Sequence, residues 1–167
     1  MSVATHFRAR MGPLIPKNIF VAGRVLAGLN QRELASQVGI SRHAMMMAEK
    51  GQASLPVLNA LVVTLHRNGI GIRYPDGQLG FGVYFLHPSD ELPFQILPAG
   101  RELVGLTQLQ LAAAARHNRR TVVRAEAGMA SEKTMGELIA ALEKHRVRLV
   151  HSNVSTGYGI CEIPGDR

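Results

Sequence analysis

Three arginines, Arg119, Arg120 and Arg124, stand within the short segment RRTVVRAE (119–126). On a helix, Val122 and Ala125 fall on one side and leave Arg119, Arg120, Val123 and Arg124 on the other. A guanidinium presents a planar fork of donors. It suits bidentate contact with guanine in a DNA major groove, or with the phosphates along the groove edges. A short helix can enter such a groove, which is about 12 Å wide. A solvated charged face is the competing reading of the same residues. A second segment, RHAMMMAE (42–49), has the same layout, with Met45 and Ala48 inward and Arg42, His43, Met46 and Met47 outward. It is poorer in donors. Exposed methionines can pack on thymine methyls, but they also mark adaptable protein-contact surfaces, and a small domain can use them as extra core.

Other chemistries lack their residues. The seven histidines, at 6, 43, 66, 87, 117, 145 and 151, show no H-x-x-x-H or H-E-x-x-H spacing, so no metal site is expected. There is no P-loop and no G-x-S-x-G. The glycines of GIGIRYPDG (69–77) read as hairpin and turn residues. Cys161 is the sole cysteine, which excludes an intrachain disulfide and a cysteine zinc set. It reads as a small buried hydrophobe in a strand. No enzymatic activity and no cofactor are expected.

Composition agrees with a binding role. The chain has 167 residues, 46% hydrophobic and 19% charged, a globular balance that allows one ordinary domain or two very small ones. Nineteen Lys and Arg against twelve Asp and Glu give a net charge of +7. That charge favours polyanionic partners, nucleic acid before an anionic membrane surface. Aromatics are 5% and Trp is absent, which is poor material for a single-strand binder built on stacking. No stretch reaches the roughly 18 apolar residues of a membrane span. No apolar segment follows the basic start MSVATHFRAR, so no secretory signal is expected and the cytoplasm is the expected compartment.

The elements that must position these residues occur twice. Shifted by 77 residues, AGRVLAGLNQRELASQVGISRHAMMMAEKGQAS (22–54) lies on AGRELVGLTQLQLAAAARHNRRTVVRAEAGMAS (99–131) without a gap. The register runs on through Leu61/Leu138 and Leu65/Leu142 to GFGVYF (80–85) against GYGICE (157–162), with about 19 of 64 positions identical. The chain therefore reads as an arm (1–16, with Arg8 and Arg10), a first domain (17–85), a linker (86–96) and a second domain (97–167).

Periodicity fills in each unit. A first helix enters after Pro16 and closes near Gly28. Asn30 with Glu33 forms a capping-box pattern for a second helix that Gly39 ends. Ser41 caps a third helix, and Pro56 opens a fourth with Leu58, Leu61, Val62 and Leu65 as its apolar stripe. The period then changes to two, predicting a hairpin over 69–74 and 81–85 around the turn Pro75-Asp76-Gly77. The second unit predicts helices near 98–105, 108–115, 119–126 and 132–145 and strands near 147–151 and 158–163. Thr107 with Gln110 caps the second of these helices, and Asn118 caps the third. Arg116 stands where the first unit has Gly39, at the cost of some strain or a shifted turn. Each hairpin needs a partner, either the other hairpin or one across a dimer, because a lone hairpin is marginal in water.

QRELASQVGISRHAMMMAEKG (31–51) and QLQLAAAARHNRRTVVRAEAG (108–128) both carry Gln-x-x-Leu-Ala, a short turn and a helix ending in Glu-x-Gly. They resemble the helix-turn-helix of the XRE type, the lambda-repressor/Cro-like family, in two tandem copies covering about four-fifths of the chain. The resemblance implies a mainly α fold with small β-hairpins, four helices and then a hairpin per domain. It implies a third helix that enters the major groove and a phosphate contact from Gln31 and Gln108. A helix N-terminus already favours phosphate. The expected DNA-facing set is Gln31, Arg42, His43, Met46, Met47, Gln108, Asn118, Arg119, Arg120, Val123 and Arg124. Glu49 and Glu126 are expected to pair with Arg24 and Arg101. The functional expectation is a sequence-specific double-stranded DNA-binding transcriptional regulator, a repressor. The alternative is an antiactivator, a protein-interaction module on the same scaffold, suggested by Met46 and Met47; a DNA binder of little sequence preference is a third reading. The unlike third helices favour a homodimer with four units over a pseudo-dimer within one chain.

Overall fold

The computed structural model describes residues 15–165. Of the arm read from the sequence, residues 1–14, including Arg8 and Arg10, lie outside the described residues. The first half comprises α1 (Lys17–Leu26), α2 (Gln31–Val38), α3 (Arg42–Glu49), α4 (Leu55–Arg67), β1 (Ile70–Arg73) and β2 (Gly82–Phe85). The second comprises α5 (Ile96–Leu103), α6 (Gln108–Ala114), α7 (Arg119–Glu126), α8 (Glu132–Glu143), β3 (Val147–Val150) and β4 (Gly159–Glu162). The architecture is therefore mixed. Among the described residues, eight helices accompany one four-stranded antiparallel sheet, in the order β1-β2-β4-β3. The two hairpins expected from the sequence are fused through β2 and β4.

The seam between the halves obeys the repeat. Gly82 pairs with Cys161, Val83 with Ile160 and Tyr84 with Gly159. Val83 and Ile160 are repeat counterparts, and exchanging the halves turns the Gly82/Cys161 pair into the Gly159/Tyr84 pair. The flanking bonds exchange in the same way. Gly80 N donates to Glu162 O at 2.7 Å, and Gly157 N donates to Phe85 O at 2.8 Å. Phe85 N donates to Tyr158 O and Glu162 N to Phe81 O, both at 2.9 Å. A pseudo-two-fold axis thus passes between Val83 and Ile160.

Beneath the sheet, α1 packs against α5. Ile19, Phe20, Ala22 and Leu26 of α1 and Ile96, Leu97, Ala99 and Leu103 of α5 are buried and join one core with Leu65, Leu142, Val83 and Ile160. Asn18 Nδ2 of α1 donates to Leu103 O of α5 at 3.0 Å, tying the end of one helix to the start of the other. Glycine lets the layers meet. A Cβ on Gly23 would lie 2.9 Å from Leu65, and one on Gly100 would lie 3.0 Å from Leu142 and 3.1 Å from Ile160.

Boundaries differ in detail. The first helix of the second half starts at Ile96 rather than 98 and stops at Leu103. Pro98 fits anywhere in a first turn, where its missing N–H has no helical partner, so buried Ile96 and Leu97 draw the start back. Segment 86–95 is a packed connection: Ser89 N donates to Ser152 Oγ at 3.0 Å, and the Phe94 ring lies over Gly128. The last helix ends at Glu143, and its strands run 147–150 and 159–162.

Candidate nucleic-acid interface

The local sequence sets α2–α3 and α6–α7 with the same devices. Asn30 Oδ1 accepts from Glu33 N at 3.0 Å while Asn30 N donates to Glu33 Oε2 at 2.7 Å, a reciprocal capping box. Thr107 and Gln110 repeat it at the start of α6. Ser41 Oγ and Asn118 Oδ1 each accept a backbone N–H three residues on, from Ala44 and Thr121, and so cap α3 and α7. The turn leading to α3 uses Gly39 at φ 80°, and its counterpart Arg116 adopts φ 56°. The arginine therefore takes the left-handed conformation that glycine takes in the other half. Leu34, Ala35, Met45 and Ala48 are buried, as are Leu111, Ala112, Val122 and Ala125. These contacts fix the face each third helix turns outward.

A polar network anchors each helix pair. Arg24 Nε meets Glu49 Oε1 at 2.5 Å and Arg24 Nη1 donates to Leu29 O at 3.0 Å. Arg101 Nε meets Glu126 Oε1 at 2.6 Å and Arg101 Nη1 donates to Leu106 O at 2.9 Å. The expected Arg–Glu pairs thus form in both halves, with side chains only 9–14% exposed. Burial alone would lower the Arg101 pKa, but the carboxylates of Glu126 and Glu102 outweigh it and hold it above its ordinary value. The sequence reading missed a third member. Gln31 Nε2 donates to Glu49 Oε2 at 2.6 Å, and Gln108 Nε2 donates to Glu126 Oε2 at 2.8 Å. Each amide spends one hydrogen inward and keeps a second. The available signal was that both Gln/Glu pairs recur in the 77-residue register.

The outward faces follow. Arg42 and His43 are exposed on α3, while Met46 and Met47 are half-buried. Arg119, Arg120, Val123 and Arg124 are exposed on α7, Val123 at 41%. Arg119 Nε and Nη2 each lie 3.3 Å from Gln108 Oε1, so the chain Arg101–Glu126–Gln108 reaches the first residue of the exposed face. Asn118 is exposed, but its side-chain oxygen is occupied by the cap. His117, in the turn before α7, places Nε2 2.8 Å from Glu137 Oε2 of α8. Arg116 adds an exposed cation to that turn.

No family model, curated protein or solved structure matches the chain. Function therefore rests on the residues and their placement.

The arrangement offers two capped helices, each with an arginine at its first position, one in each of two halves joined at a pseudo-two-fold strand seam. Exposed guanidiniums on a helix face suit a polyanion in an extended groove. Among the described residues, no group of three His, Cys, Asp or Glu could hold a metal ion. No helix of the described residues is long and apolar enough to cross a membrane.

Proposed function

We propose that the chain is a sequence-specific double-stranded DNA-binding transcriptional regulator, a repressor, built from two helix-turn-helix units of the XRE type. The observation that carries this reading is the duplicated presentation: α3 and α7 each bury Met45/Ala48 or Val122/Ala125 and expose Arg42 or Arg119. The net charge of +7 supports it through phosphate contacts. The pseudo-two-fold seam supports one chain supplying both reading helices, so the homodimer expected from the sequence is not needed to provide a second reader. Repression needs only occupancy of a promoter.

The antiactivator reading drew on outward Met46 and Met47. Both side chains are half-buried, which leaves less apolar surface for a partner protein and favours the DNA reading. Selection of bound duplexes from a random library tests it. A recovered motif, bound by one chain per duplex, is the expected result. Arg119→Ala and Arg124→Ala should each weaken specific binding by about 1–3 kcal/mol. Equal binding to every duplex would reject sequence-specific reading.

A further inference from the structure

Resting on that DNA-binding reading, we infer that the operator is an inverted repeat with two unlike halves. A guanine read by Arg42 and Arg119 is common to both, and further guanine contacts from Arg120 and Arg124 occur in the α7 half alone.

The frame is symmetric. The β2–β4 register is unchanged when the halves are exchanged, and so are the bonds that flank it. A two-fold frame presents its readers to inverted sequences, with half-site centres about 34–36 Å apart, one turn of the duplex. The readers are not symmetric. The register of 77 residues aligns Arg42 with Arg119, His43 with Arg120, Met46 with Val123 and Met47 with Arg124. The first pair is identical and opens both helices, where a recognition helix meets base edges. Arginine there selects guanine through O6 and N7. Met46 and Val123 are both apolar and suit the same thymine methyl. The other two pairs differ in kind. His43 and Met47 offer at most one imidazole and a thioether, against two exposed guanidiniums from Arg120 and Arg124. The α7 face is also anchored, since Gln108 holds Arg119 and is itself held by Glu126. A symmetric scaffold with unlike readers makes the site directional, so the chain lies on its operator in one orientation.

Duplex selection with three forms of the full chain decides the matter: the unaltered protein, His43→Arg with Met47→Arg, and Arg120→His with Arg124→Met. The unaltered chain should return two unlike half-sites that share one guanine. Replacing a guanine found only in the α7 half should weaken binding about tenfold. The first variant should make the α3 half-site resemble the α7 half-site. The second should do the reverse, and it changes only exposed positions, so it stays informative if the first variant unfolds. A true palindrome from the unaltered chain, or motifs that ignore both exchanges, would overturn the inference and leave the DNA-binding reading in place. Recovery of no motif would overturn the reading on which it rests.

Discussion

Glu126 receives Arg101 on one carboxylate oxygen and Gln108 on the other. Removing it strands a largely buried guanidinium. Glu126→Ala should therefore destabilise the protein by about 3 kcal/mol, read from urea unfolding. Gln108→Ala should cost only about 1 kcal/mol but should weaken DNA binding by more than its stability loss explains, because Arg119 loses its anchor. A null effect on binding would separate the network from reading. A second carboxylate behaves differently. Burial raises the Glu162 pKa above its ordinary 4.5, so the folded state disfavours its charge. This penalty is absent below the ordinary value, builds as pH rises through the raised one, and is fully present at neutral pH. Glu162→Gln should accordingly raise stability at pH 7 and leave it unchanged well below pH 4.5, as paired denaturation curves would report.

The starts of α2, α3, α6 and α7 were legible because local chemistry announces them, whereas the sequence places α5, which begins after Gln95 without a side-chain cap, two residues late. Asn30/Glu33, Ser41, Thr107/Gln110 and Asn118 are caps in the sequence and caps in the structure. Arg116 at the position of Gly39 foretold a strained turn, and φ 56° is found there. Arg146, at φ 64°, replaces Gly69 in the same way. Left-handed backbone costs a side-chain-bearing residue about 1–2 kcal/mol, partly offset by glycine's greater unfolded freedom. Arg116→Gly and Arg146→Gly should each stabilise by about 0.5–1 kcal/mol in thermal or urea melts. Partners across distance were less legible. Alternating apolar residues identify a strand but not its neighbour, so the sequence admits the other hairpin or one across a dimer, and the structure joins β2 to β4. The Gln–Glu bonds hid for a similar reason. They link residues 18 positions apart on two helices, a spacing no single-helix period marks.

The central seam is where the whole molecule is most exposed to change. A Cβ on Gly159 would lie 2.6 Å from the Tyr84 Cβ and 2.9 Å from Val83 O. Gly159→Ala should force the strands apart at a cost of about 1–3 kcal/mol, and it should loosen both halves together in hydrogen exchange. Protection lost in one hairpin alone would mean the sheet is not a single unit. Tyr84 tightens the same place, its ring lying across Gly71 where a Cβ would come within 2.6 Å of Cε1.

That seam is isologous in the sense used for subunits. Exchanging the halves leaves its hydrogen bonds in place, so two separate copies of one half would meet the same pattern in each other. Covalent connection turns such a subunit contact into an intramolecular one, at an effective concentration on the order of millimolar. Association no longer depends on how much protein a cell holds. The fusion also lifts a constraint that binds every homodimer. Two identical subunits must carry the same exposed helix face, whereas a fused pair keeps the symmetric frame through Val83 and Ile160 while Met47 and Arg124 go separate ways.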